Sequence, residues 1–583
     1  TIPQEGAWDG TSTKEPKFAE GYYQISNGAE LAWFAQLVNS GVTGAKANAK
    51  LCDDINLGNH NWTPIGSSSK IPYTGSFEGQ DHVVRGLRIE SSDTYAGLFG
   101  IVYGDEKQSI ENLTVKGSIE CSEKIAYAGG IVAYMHGKNE SQRNYIRNCH
   151  SEVQIQVKNA KRQHSAVGGI VGYADKMWVN QCSNKGSVSL ESAGGIQFYA
   201  GGIIGDMANS VSVRQSVNRG SVEAEFCAGG LVGRVDGSTT NISTSDVTMV
   251  RSVQAEDGNL KAVSVVGENA GGLIGGLFNF ESCQFRNVSL NFPVYGGDST
   301  GGLAGYTSMG GDMSIENCRF FSVASGNNSV GGLFGTVRGH SHSIAVEGSD
   351  DGTSVKQDAN SLVKISGKLN VGGFAGHIDD TKLTGKRIYI NAPVSATDTN
   401  AGCAIGNVTN ATVNLSLFNI SKYAKATGPQ NIGGMVGSAD NSTLTGSLNI
   451  GTLSNYTSIP KASTFTPTFS GFAGTSGITK NVGGIVGYIK NSFVTNLCFA
   501  GTVEGCNNVG GIIGLADNID KGYVRGCVNN SPKIDNKISD STGGIIGRLN
   551  QFDCATCENL INYGEISGTN YTGGIIGDIH EEG

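Results

Sequence analysis

The chain has 583 residues, 87 of them Gly and 10 Pro, and its 42 Lys and Arg against 51 Asp and Glu leave a net charge of −9. Glycine at about twice its usual share, without a three-residue period and with little Pro, excludes a collagen, and 16% charged residues are too few for a disordered chain. No apolar run approaches about 18 residues and no basic run interleaves with aromatics, so the sequence predicts no membrane span and no nucleic-acid partner.

Residues 1–90 read as an N-terminal cap with the first coils of a solenoid. Asn27-Gly28-Ala29-Glu30 precedes Leu31, Phe34, Ala35 and Val38, an i, i+3, i+4, i+7 apolar stripe. Asn27 suits the first turn as a cap and Gly41 suits the stop, which predicts a helix over about 27–40. Such a helix would cover the open end of the solenoid, where strand edges are otherwise unpaired.

From 91 to 583 the sequence repeats. Gly-Gly-x-x-Gly with two apolar middle residues occurs twelve times, its second Gly at Gly169, Gly202, Gly230, Gly272, Gly302, Gly332, Gly373, Gly434, Gly484, Gly511, Gly544 and Gly574. Chance would give roughly two copies. Looser copies lie at Gly97 and Gly130, and Ala401-Gly402-Cys403-Ala404-Ile405-Gly406 reads as a copy with one extra residue. The mean spacing from 97 to 574 is about 34 residues. Each unit holds three short Val/Ile-rich runs separated by Asn, Gly, Ser and Asp, the pattern of strands and turns. Three short strands repeated at this period describe a β-solenoid of about 15 coils. The longest interval, from 434 to 484, predicts an insertion around 452–478, in which Ser470-Gly471-Phe472-Ala473-Gly474 reads as a decoy motif in a loop. Its aromatics Tyr456, Phe465 and Phe469 are the candidate ligand contacts.

Within the motif, strand alternation would point the two middle residues to opposite faces. The first, as in Ile170, Ile203 and Leu231, reads as core-facing. The second, from Val132 and Val171 to Ile546 and Ile576, reads as an outward apolar stripe that something must cover. The glycines themselves mark a close backbone approach.

Cys149, Cys182, Cys283, Cys318 and Cys527 each lie three residues after an apolar residue, in a slot that Leu113, Ser216 and Leu497 fill elsewhere. That frame predicts buried, unpaired thiols. Cys554 and Cys557 form a lone C-x-x-C without further ligands, and His340 and His342 fall in a Gly/Ser-rich stretch read as a loop, so no metal site and no cofactor are predicted. Asp53-Asp54, Asp350-Asp351 and Asp379-Asp380 read as turn residues, because neighbours in a strand point apart. No phosphate-loop or dinucleotide motif is present, and no catalytic residue is assigned.

The tandem Gly-Gly-Ile/Leu-x-Gly units resemble those of GLUG-repeat bacterial surface proteins. The leader is also similar, in Glu30-Leu31-Ala32-Trp33-Phe34-Ala35, Asn61-Trp62-Thr63-Pro64-Ile65-Gly66 and Tyr73-Thr74-Gly75-Ser76-Phe77-Glu78-Gly79, which look like those of gut Bacteroidetes. The resemblance implies a right-handed parallel β-helix and export to the cell surface or beyond, with a signal peptide already removed. It also implies an adhesin-like, non-catalytic role toward a host or dietary glycan or protein. The same repeats accompany IgA-cleaving zinc peptidases, whose His-Glu-x-x-His is found nowhere in these residues: of the nine His only His580 is followed by Glu. Two other expectations stay open, a polysaccharide-degrading β-helix enzyme and a passive stalk for a further C-terminal domain.

Overall fold

The computed structural model describes the chain apart from residues 1–5, 92–93, 105–108, 140–143, 163, 193–196, 210, 238–252, 255–259, 262–264, 281, 309, 357–362, 449–460, 463–465, 475–478, 518–520, 537–539, 551–555 and 581–583. Strands hold 61% of the residues and helices 5%, and stacked parallel coils form a β-solenoid of about 14 turns. The chain divides into two compact units, Thr1–Pro293 and Val294–Gly583.

One coil of the first unit gives the plan. Strand Ala166–Gly168 ends in a bend at Gly169 and Ile170, and strand Val171–Asp175 follows. Lys176, at φ +50°, turns the chain into Met177–Asn180, and Gln181, at φ +56°, turns it into Ser183–Asn184. Val188–Ser192 completes the coil. The next coil repeats this in parallel register, with Ala166 beside Tyr199, Val171 beside Ile204, Val179 beside Val213 and Val188 beside Val222. Five short strands thus replace the three expected, because left-handed residues divide runs whose composition reads as continuous.

Those corners favour Asn, whose short amide tolerates the left-handed region. In the second unit Asn370, Asn400, Asn431, Asn481 and Asn508 all have φ between +48° and +64°. From Asn400 onward each Nδ2 donates to the Oδ1 of the Asn one coil earlier, at 2.7–2.9 Å. In these coils of the second unit the left-handed Asn, which sits in the strand just ahead of the Gly-Gly pair, therefore also ties its coil to the neighbour.

The first glycine of the pair ends a strand and the second opens a corner. A Cβ on Gly168 would lie 1.9 Å from the Val171 carbonyl, and one on Gly169 would lie 2.1 Å from the Gly202 carbonyl and 2.4 Å from the Asn184 side chain. Backbone meets backbone here, as the glycine pattern predicts. The second Gly of most motifs abuts one recurring side chain: Asn184 at Gly169, Asn218 at Gly202, Phe320 at Gly302, Val355 at Gly332, Ile390 at Gly373 and Phe499 at Gly484. Where this side chain is Asn it is a buried polar link; Asn184 donates to Asn218 Oδ1 at 3.0 Å and brackets Gly186 through both amide atoms.

This corner corrects the expected faces. Ile170 and Val171 are both fully buried, as are Ile203 and Ile204. The first middle residue lies in the bend itself and only the second starts a strand, so alternation does not carry across it. The second-position stripe does stack from coil to coil, Val132 on Val171 on Ile204 on Val232 on Ile274 in the first unit, but as buried core. Register also corrects two motif readings. Gly402 pairs with Gly372 and Gly433, and Ile405 with Ala375 and Val436, so Cys403 stands in place of the second Gly and no residue is added. Phe472–Gly474 is no loop decoy; it pairs in parallel with Lys425–Ala426 and Thr502–Glu504 as part of a coil.

At its start the first unit carries helix α1, Gly28–Ser40. Asn27 Oδ1 accepts from the Glu30 amide at 3.0 Å, and Glu30 accepts from the Ser26 amide at 2.8 Å, so two end donors are satisfied. Leu31, Phe34 and Val38 are fully buried, and Phe34 meets the rings of Tyr23, Tyr73 and Phe77. The helix fills the core of the first coil. The strand edge itself is covered by an antiparallel hairpin, Lys17–Ala19 on Tyr22–Ile25.

Candidate functional site

The two strands that leave a Gly-Gly corner bring tyrosines together in the first unit. Ahead of the corner, parallel pairing stacks Tyr95, Tyr127, Ala166 and Tyr199 in one column. After it, Ile101, Tyr134, Tyr173, Asp206 and Arg234 form a second column. Two residues further on, Tyr103, His136 and Asp175 form a third. Tyr134 and Tyr173 stack nearly parallel, with centroids 4.7 Å apart at 5°. Tyr127 bridges the corner, 5.5 Å from Tyr134 and 5.2 Å from Tyr173.

Tyr127, Tyr134 and Tyr173 are only partly buried, and their hydroxyls make no hydrogen bond among the described residues. The stacked faces are spent on one another, so the columns offer ring edges and phenol groups outward. Burial pushes the Tyr134 phenol up to about 12, helped by Tyr127 and Asp175. Burial also raises Tyr173 and Tyr127. All three phenols therefore stay neutral donors at ordinary pH.

One end of this surface is charged. Arg234 holds Asp206 through Nε and Nη2 at 2.9 and 3.0 Å, reaches Asp236 at 3.2 Å and donates to the Tyr199 hydroxyl at 3.0 Å. Its guanidinium also lies 4.3 Å from the Tyr199 ring centroid, so one cation fixes three partners. Burial raises the Asp206 carboxyl and Arg234 pulls it back down. In the third column His136 stacks on Tyr103, 5.3 Å away at 6°, with Nδ1 2.8 Å from Asp175 Oδ2.

The residues singled out from sequence fall elsewhere. Tyr456 and Phe465 lie outside the described residues. Phe469 is 3% exposed, packs on Phe499, and fills against Gly434 the slot that Asn184 fills against Gly169. It is a core residue and not a ligand contact; an aromatic in a long interval lands inside whenever that interval still completes a coil. His340 and His342 belong to strand Phe334–Glu347 and not to a loop, and their side chains are outside the described residues. Asp54 accepts from the Val83 amide, Asp351 and Asp380 have positive φ, and Asp379 accepts from Thr409 and Asn410, all turn or ladder roles. Twelve cysteines form no disulfide, ten of them buried, while Cys554 lies outside the described residues. Cys149, Cys182, Cys318 and Cys527 point a thiol at the carbonyl two residues back, as the Ser216 hydroxyl does. Among the described residues no three His, Cys, Asp or Glu gather as metal ligands, and no helix is long and apolar enough to cross a membrane.

The tyrosine columns were missed because no single segment shows them. Their signal was present, Tyr two residues ahead of the first Gly at Tyr127 and Tyr199, and four after the second at Tyr134 and Tyr173. Set against family models, curated proteins and solved structures, the chain matches none.

Proposed function

We propose that this chain is a non-catalytic, adhesin-like surface protein that binds an extended polar ligand, a glycan or a protein segment, along the tyrosine columns of its first unit. One observation carries the reading: neutral phenols with ring edges recur coil after coil on one partly open face. Such groups give large contact area at small entropic cost and are enriched where proteins bind partners. A ligand repeating at about the 4.7–4.9 Å coil spacing of a parallel stack would meet a phenol at two successive steps, Tyr134 and Tyr173. The resemblance to GLUG-repeat proteins supports the exported, cell-surface setting.

A catalytic reading draws on a different observation. Asp175, Asp206 and Asp236 come from three successive coils of the same sheet, an arrangement that a β-helix glycosidase requires. Each is already paired, Asp175 with His136 and the other two with Arg234, which favours a structural role. Incubating the protein with host and plant polysaccharides while measuring reducing ends separates the readings. Binding on a glycan array without sugar release is the expected result; release of sugar contradicts the proposal.

A further inference from the structure

Beside α1 lies a cleft of about 380 Å³, away from the tyrosine columns. Its walls include the indoles of Trp8 and Trp62, which meet edge to face with centroids 5.8 Å apart. Gln36, Asn61, Thr63 and Ser67 add amide and hydroxyl groups. The volume falls within the roughly 300–1,000 Å³ of small-molecule sites. Among the described residues no charged side chain lines the cleft, so a charged occupant would find no counter-ion among them.

The chain holds both indoles in place. Trp62 is 3% exposed, and its Nε1 donates to the Leu98 carbonyl at 3.1 Å. The Trp8 amide donates to the Asn56 carbonyl at 2.9 Å, and its Nε1 to the Ser12 carbonyl at 2.8 Å. Three glycines make room for the Trp8 segment. A Cβ on Gly28 would lie 2.5 Å from Trp8 Cβ, one on Gly58 2.5 Å from the Trp8 carbonyl, and one on Gly10 2.8 Å from the His60 ring. Asn39 sets the floor, accepting from the Gly66 and Ser67 amides at 2.9 and 3.0 Å and donating to the Pro64 carbonyl at 3.0 Å.

The indole N–H groups and Asn39 are therefore committed to the protein. The side chains of Gln36, Thr63 and Ser67 make no hydrogen bond among the described residues. An occupant must offer an apolar face to indole and neutral hydroxyls to amide and hydroxyl groups. A pyranose ring does both. We infer that this cleft is a binding site for one or two residues of a neutral sugar, a second site that stands independently of the tyrosine columns.

Titrating the full chain with methyl glucoside, methyl galactoside, methyl mannoside and N-acetylglucosamine, each against its uronic acid or acidic counterpart where one exists, tests this through tryptophan emission. At least one neutral sugar should give a saturable change and the acids none. Trp8→Ala should abolish binding measured by calorimetry, and Gln36→Ala, on the exposed side of the helix, should weaken it about tenfold. Tyr134→Ala with Tyr173→Ala should leave it unchanged, which separates this site from the proposed function. No saturable change with any of the neutral sugars overturns the inference, as does an equal response to the acids or full affinity in Gln36→Ala. Gln36→Ala keeps the test decisive if Trp8→Ala does not fold.

Discussion

A methyl group separates a tolerated glycine from an intolerable one in this fold, and the surroundings decide which is which. At Gly169 an added Cβ would meet the Gly202 carbonyl at 2.1 Å, and neither backbone can move without parting the coils. Gly169→Ala should destabilise the chain by roughly 1–3 kcal/mol or more, the cost of overpacking a rigid interior. At Gly41 the same methyl meets nothing within 4 Å and the backbone is extended, so Gly41→Ala should change stability by no more than about 0.5 kcal/mol. Melting curves of the two variants check this. The cysteines follow the same logic. Burial pushes the Cys182 and Cys527 thiols up to about 12, so neither forms thiolate at neutral pH. A thiol reagent should label exposed Cys52 quickly in the native chain and most of the 13 cysteines after denaturation without reductant. Fast native labelling of the buried set, or six disulfides, contradicts that assignment.

At the scale of elements, α1 was readable because its cap, apolar stripe and stop are local features. Asn27→Ala removes the bond to the Glu30 amide and should cost about 1 kcal/mol, measurable as a lowered melting temperature. The tyrosine columns are an element of another kind, made from separate strands. Because their folded phenol pKa values lie above the unfolded value near 10, the columns contribute stability fully present below pH 10. That contribution is lost as pH rises toward about 12, where Tyr134 ionises. Tyr134→Phe should therefore flatten the fall of melting temperature over that alkaline interval. An identical alkaline profile in the variant contradicts the burial of this phenol.

For the whole molecule, the repeat of Gly-Gly corners was enough to read stacked coils, since periodicity is a property of sequence. What it could not supply was direction. The bend at Gly169 and Ile170 breaks the alternation from which an outward stripe was inferred, and left-handed Lys176 and Gln181 hide extra strand ends inside runs that look continuous. Phe469 read as a loop aromatic because interval length does not say which residues finish a coil. The candidate site stayed out of sight for a related reason: Tyr127, Tyr134 and Tyr173 sit in different strands and meet only across a Gly-Gly corner and through inter-coil register. The central claim is that this register builds a binding face. It is tested most directly by measuring the affinity of the best glycan-array ligand for the wild-type chain and for Tyr134→Ala with Tyr173→Ala, alongside their melting temperatures. The account predicts at least a tenfold weaker affinity in the variant while both still melt as folded proteins; equal affinity in the two would contradict it.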